Sequence, residues 1–194
     1  MVIFFIKFRI YKYSAHGELV EPWTEFLLLI FYEVIKITEE IKTVVIYTDG
    51  ACQGNPGPGG YGVVLLYNKH RKELAGGFQL TTNNRMEIMG AIVGLSALKD
   101  RCRVTIYTDS QYLTNAMTKG WVQKWRAKGW MRNNKEKALN PDLWEQLLGQ
   151  CRRHEVEFTW VRGHAANVEN ERCDLLAREA AAGKNLLPDT GYHP

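Results

Sequence analysis

The stretch VVIYTDGACQGNPGPGG, residues 44–60, decides the fold. Val44–Thr48 is a run of β-branched and aromatic residues, which predicts a buried strand. Gly54, Gly57 and Gly59 favour turn geometry, and Pro56 and Pro58 each lack an N–H, so the strand is predicted to end at Asp49. A carboxylate then sits at the lip of a sheet, where desolvation demands a cation or donors nearby.

The same signal recurs sixty residues on. IYTDG at 46–50 is echoed by IYTDS at 106–110. Two buried strands each deliver an aspartate, Asp49 and Asp109, to the same kind of position. If the strands are parallel neighbours, both carboxylates emerge on one edge, and a crossover helix must lie between them. The interval supplies one. Tyr61–Asn68 and Arg71–Leu80 read as an antiparallel hairpin. Residues 84–99 then repeat apolar positions (Ile88, Ala91, Ile92, Leu95, Leu98) at helical spacing, with Glu87 in the first turn. Gly90 and Gly94 inside that helix each cost about 1 kcal/mol relative to alanine.

Beyond Ser110, a short helix is predicted over Gln111–Met117. Residues 119–137 then carry seven basic side chains against one acid, with Trp121, Trp125 and Trp130 interleaved. Indoles can anchor such a segment while Lys124 and Lys128 face a polyanion, giving affinity without sequence preference. Pro141–Arg152 reads as a helix, Glu155–Val161 as a last strand, Arg162–Asn170 as a polar loop with His164, and Glu171–Ala182 as a helix bearing Asp174. The tail from Gly183 reads as irregular.

Composition sets the outer bounds. The chain has 194 residues, 45% hydrophobic and 24% charged, as expected of a soluble globular protein. Cys52, Cys102, Cys151 and Cys173 show no C-x-x-C spacing, which excludes a zinc site or disulfide framework and fits reduced thiols in the cytoplasm. Residues 1–42 hold five basic and six acidic side chains, so the remaining 20 basic and 15 acidic residues give that part +5. This suits a polyanionic partner. Residues 1–42 read as an extension apart from a domain over 43–194. The apolar opening is broken by Lys7, Arg9 and Lys12, and Phe26–Tyr32 is far too short to span a membrane. An amphipathic helix over about 24–40 is the one element it suggests, and SAHGELVEP resembles translated intergenic repeat sequence. No membrane partner is expected.

Asp49, Glu87, Asp109 and Asp174 carry the chemistry. Each alone has a structural explanation, as a turn cap or a helix-start acid. Four ionised carboxylates at one edge, however, repel unless cations neutralise them. Mg²⁺ suits carboxylates, waters and phosphate oxygens, and two such ions about 4 Å apart serve phosphodiester hydrolysis. His164 titrates near neutrality and suits a proton carrier beside them.

The segments TDGACQGNPGPGGYG, TTNNRMEIMGAI, TDSQYL, WVQKWRAKGW, NPDLW, VRGH and NERCDLLA, in that order, resemble bacterial type 1 ribonuclease H over residues 43–194. The resemblance implies an α/β fold with a five-stranded mixed sheet and helices on both faces. It implies an endonuclease, monomeric, that cuts the RNA strand of RNA–DNA hybrids and leaves 5′-phosphate and 3′-hydroxyl ends. It makes Asp49, Glu87, Asp109 and Asp174 the ligands of Mg²⁺, with Mn²⁺ as a substitute, and His164 the auxiliary residue. Hybrid contacts map to Cys52, Asn55, Asn83, Asn84 and Gln111, and a DNA-strand phosphate to Thr82 and Asn140. The basic protrusion, with Trp121, Lys124, Trp125 and Lys128, maps to 119–137. Side-chain amides both donate and accept, as a 2′-hydroxyl requires.

Two departures stand out. HAANVEN at 164–170 replaces a Gly- and Pro-containing loop, which is expected to alter loop mobility and turnover. The extension has no counterpart in the bacterial enzymes. An inactive hybrid-binding protein and a DNA-cutting integrase-like nuclease are the rival readings, and a cleavage assay separates them.

Overall fold

A central sheet of five strands runs, in spatial order, His70–Thr81, Gly57–Tyr67, Lys42–Cys52, Cys102–Thr108 and Glu155–Trp160. The computed structural model describes residues 12–13, 19–20, 30, 41–163 and 167–193. Strand β3 (Lys42–Cys52) pairs antiparallel with β4 (Gly57–Tyr67), which turns back into β5 (His70–Thr81). On its other side β3 runs parallel to β6 (Cys102–Thr108), and β6 runs parallel to β7 (Glu155–Trp160). The crossover from the hairpin to β6 is helix α1 (Asn83–Ser96), as a parallel pair requires. The mixed sheet expected from the resemblance is therefore present.

Asp49 does not end its strand. On the β4 side the ladder continues through Cys52, which pairs with Gly59, whereas on the β6 side it stops at Tyr47 and Tyr107. Asp49 is thus at the sheet edge toward β6 and inside the sheet toward β4. The prolines are tolerated because Pro58 lies where the β4–β5 register shifts, and its carbonyl accepts the Gln53 N–H at 2.7 Å. The turn itself shrinks to the residues between Cys52 and Gly57.

Alternation along β4 separates two cores. Val63 and Leu65 point into the larger one, with Ile46, Ile106, Ile88, Leu95, Leu143 and Trp144. That side is covered by α1, by α2 (Gln111–Thr118) and by α4 (Pro141–Cys151); Val122 of the short α3 (Trp121–Ala127) is buried with it. Val64 points the other way, onto Cys173 and Leu176 of α5 (Val168–Ala181). The interior glycines of α1 have a packing role: a Cβ on Gly94 would stand 2.9 Å from Ile46 Cγ2, so the helix lies against β3 at a distance only glycine allows.

Other boundaries also differ from expectation. Helix α1 stops at Ser96, not Lys99, because Ala97 and Leu98 hydrogen-bond back to Val93 and Leu95 as the chain turns toward β6. Helix α5 starts at Val168, not Glu171, because Asn167 caps it by accepting the Asn170 N–H at 3.2 Å. The tail is not wholly irregular. Leu187 joins the sheet edge at Phe78, with Gln79 N–H to Leu187 O at 2.9 Å and Leu187 N–H to Gly77 O at 3.0 Å.

The chain divides into two compact units, Met1–Glu40 and Ile41–Pro194. In the first, β1 (Lys12–Tyr13) pairs antiparallel with β2 (Leu19–Val20). The helix expected over 24–40 falls outside the described residues apart from Ile30, which is helical and exposed.

Candidate active site

The register between β3 and β6 sets the site. Ile46 pairs with Ile106 and Tyr47 with Tyr107, and the two tyrosine rings stack at 5.0 Å. Two residues beyond the last β3–β6 pair, Asp49 and Asp109 stand at the same level of the sheet. Glu87 comes to them from the second turn of α1, because the helix begins at Asn83. Carboxylate oxygens of these three residues all lie within 4.8 Å of one another.

Asp49 and Glu87 are buried, at 7% and 5% exposure. Few donors offset that burial. The Gly50 N–H donates to Asp49 Oδ1 at 2.7 Å, and Asn83 Nδ2 donates to Glu87 Oε1 at 3.2 Å. Glu87 Oε2 is buried with no partner among the described residues. Burial first, and then the charges of Asp109 and Asp174, push the Asp49 carboxyl up to about 8. Burial followed by Asp49 and Asp109 holds Glu87 well above the ordinary carboxylate range. A cluster that resists ionisation by itself, and carries an orphaned buried oxygen, is suited to a hard oxygen-seeking cation. The residues therefore fit a divalent metal.

Asp174 is not among the residues that meet within that radius. It sits in the second turn of α5, where Arg178 one turn on pairs with its Oδ2 at 2.7 Å. It still faces the site: with Gly50, Cys52, Gln53, Asn83 and Arg178 it lines a hollow of about 400 Å³. His164 lies outside the described residues.

The expected substrate residues fall into two groups. The first surrounds the acids. Cys52 Sγ lies 3.5 Å from the carbonyls of Gly57 and Thr81, and Asn55 Oδ1 accepts the Asn83 N–H at 3.2 Å. Thr82 caps α1, its hydroxyl accepting from Arg85 N–H at 3.4 Å. Asn84 follows in that helix, half-buried, and Gln111 opens α2, exposed. The second group lines a groove of its own. Trp121, Lys124, Trp125 and Lys128 line a groove of about 550 Å³ with Tyr112, Arg132 and Leu139. The indoles of Trp125 and Trp144 pack edge-on at 6.3 Å, so the tryptophans are part core and part surface, while Lys124 and Lys128 are exposed. Asn140, left-handed at φ 59°, precedes α4 and leaves its side chain free of capping.

Two residues that serve the site were missed by sequence reading. Arg85 is buried at 2% exposure between α1, the start of α4 and the tail, in paired hydrogen bonds to Asp142 and Asp189. Asn170 donates to Asp109 Oδ2 at 3.2 Å. The N-x-x-N spacing of Asn167 and Asn170 was a readable capping signal; the contact with Asp109 had none.

Comparison with known proteins agrees with this architecture. The RNase H family model matches residues 41–182. Ribonuclease H of Syntrophus aciditrophicus is 69% identical over 151 residues, covering 78% of this chain and 87% of that protein. Ribonuclease HI of Synechocystis sp. is 58% identical over 152 residues, covering 78% and 95%. The crystal structure of LC9-RNase H1, a type 1 RNase H with the type 2 active-site motif, superposes with a TM-score of 0.68 at 34% identity, covering 78% of this chain and 76% of that one. On the fold, the acidic cluster and these matches, the chain belongs to the ribonuclease H family, in its bacterial type 1 branch.

Proposed function

We propose that this protein is an endonuclease that hydrolyses the RNA strand of RNA–DNA hybrids, leaving 5′-phosphate and 3′-hydroxyl ends, with Mg²⁺ as its metal and Mn²⁺ as a substitute. The observation that carries the reading is the triad of Asp49, Glu87 and Asp109, converging within 4.8 Å with two members buried. When bound, a pair of divalent ions supplies Lewis acidity toward water and phosphate at both ends of an in-line displacement.

The chain's own residues do the rest. Asp49, Glu87 and Asp109 would hold the cations, with Asp174 of α5 as a further ligand. Asn83 fixes one oxygen of Glu87 and leaves the other for metal. His164 carries the proton for the departing 3′-oxygen. Cys52, Asn55, Asn83, Asn84 and Gln111 form the wall that reads 2′-hydroxyls, the one feature separating RNA from DNA at a given nucleotide. Thr82 and Asn140 take a DNA-strand phosphate, and the cationic groove at Trp121, Lys124, Trp125 and Lys128 holds the backbone without reading bases. The enzyme acts as a monomer in the cytoplasm; among the described residues no helix is long and apolar enough to cross a membrane. Residues 1–42 are an extension that precedes the catalytic domain at 43–194.

The test is cleavage of end-labelled hybrid, single-stranded RNA and duplex DNA, with and without Mg²⁺, by the full chain and by the chain starting at Thr38. Metal-dependent cutting of only the RNA strand of the hybrid, by both, is expected. Hybrid bound but uncut, or duplex DNA cut, overturns the reading.

A further inference from the structure

Three residues from β7 to α5 close around Asp109. Asn170 Nδ2 donates to its Oδ2 at 3.2 Å, and Trp160 Nε1 donates to its main-chain carbonyl at 3.0 Å. A Cβ on Gly163 would stand 2.6 Å from the same Oδ2, so a side chain there would push the carboxylate aside. Asp109 is therefore held at its carbonyl and at one carboxylate oxygen by a single stretch of chain.

The holder is itself fixed. Asn170 takes its place in the first turn of α5 through the Asn167 cap. The same turn is tied to β5 by Arg71 with Glu169 and by Arg172 with Glu73, each at 2.8 Å. Asn170 is 2% exposed, and its Oδ1 is buried without a partner among the described residues. Burying an amide to make one side-chain hydrogen bond is a poor route to stability, since the unsatisfied half costs more than an apolar side chain would. The position makes sense if the bond to Asp109 is what matters.

We propose that Asn170, assisted by Trp160, is a positioning residue that keeps the Asp109 carboxylate in one orientation toward the cation site. This rests on the assignment of Asp109 as a metal ligand. A free carboxylate rotates, and small misplacements of a catalytic group cost large factors in rate.

The experiment compares Asn170→Ala and Trp160→Phe with wild type in the full chain. It reads thermal midpoint, Mg²⁺ binding by calorimetry without substrate, and kcat and KM on a hybrid. Asn170→Ala is expected to weaken Mg²⁺ binding several-fold, to lower kcat by roughly 10-fold or more, and to leave KM within about 2-fold. Raised Mg²⁺ should restore part of the rate. Trp160→Phe keeps an aromatic ring and should move Mg²⁺ binding and kcat the same way by less, which settles the matter if Asn170→Ala does not fold. A lowered midpoint with Mg²⁺ binding and kcat unchanged would mark a purely structural role and overturn the proposal. If wild type binds Mg²⁺ but cuts no hybrid, the functional reading fails; weaker Mg²⁺ binding in Asn170→Ala would still uphold the positioning role.

Discussion

Arg85 and Asp189 form a buried ion pair across 104 residues of sequence: Nε meets Oδ2 at 2.7 Å, with side-chain exposures of only 2% and 4%. Asp142 completes the clamp on the far side of the guanidinium, and the Thr81 hydroxyl donates to Asp189 at 2.7 Å. The clamp ties the tail and the start of α4 to the helix that carries Glu87.

Removing one partner leaves a buried charge poorly compensated. Asp189→Ala is expected to cost about 3 kcal/mol, lowering the thermal midpoint by roughly 6–12 °C for a chain of this size. Burial alone would raise the Asp189 carboxyl, but hydrogen bonds from Arg85 and Thr81 hold it below the ordinary range. Its contribution is thus present above the unfolded pKa and lost as pH falls through the folded one. A midpoint that is unchanged at neutral pH would contradict the clamp.

The acidic cluster has the opposite sign. Asp49 is pushed up to about 8 in the fold, above its ordinary value of 3.8. In metal-free protein its favourable contribution is therefore present at low pH and lost as pH rises from about 4 to about 8. Asp49→Asn removes that charge. At pH 8 without metal the variant should melt at least about 2–4 °C above wild type, the shift that ~1 kcal/mol gives. At pH 4 the two should coincide, and Mg²⁺ should stabilise only wild type. The same substitution should abolish cleavage while leaving hybrid binding largely intact. Loss of binding in a folded variant would contradict the assigned role.

His154 reports a second titration, remote from the acids. Its Nδ1 accepts the Cys102 N–H at 3.3 Å at the start of β6, and burial followed by Arg153 lowers its pKa. Protonation removes the acceptor, so this contribution is present above the unfolded pKa and fades as pH falls. His154→Phe should lose about 1–3 kcal/mol at pH 8, from the orphaned N–H. Its stability should then fall less between pH 7 and pH 5 than that of wild type, as chemical denaturation at each pH would show. Parallel curves would rule out His154 as the titrating group.

The groove at Lys124 and Lys128 is expected to contact phosphates. Alanine at both positions should weaken hybrid binding regardless of sequence and reduce the slope of log affinity against log salt by about 1.5 to 2. The measurement is best made with the Asp49→Asn background, so that substrate survives. An unchanged slope would place the polyanion elsewhere.

The sequence by itself determined much of this protein. The repeated IYTD motif announced two parallel strands with an acid at each end, because β-branched runs and a helical interval leave few other topologies. Glu87 and the cationic, tryptophan-bearing segment were legible from residue type and spacing. Other features were decided only by the tertiary structure. Asp49 lies inside its strand on one side and at the edge on the other, since pairing depends on which neighbour runs further. Asp174 pairs with Arg178 one turn on along α5, a guanidinium that its place in the sequence did not assign to it. Arg85 with Asp189, and Asn170 with Asp109, join residues 104 and 61 positions apart. Local periodicity records which face of an element is buried; it carries no record of which distant polar group meets it there, and that pairing is fixed only when the layers pack.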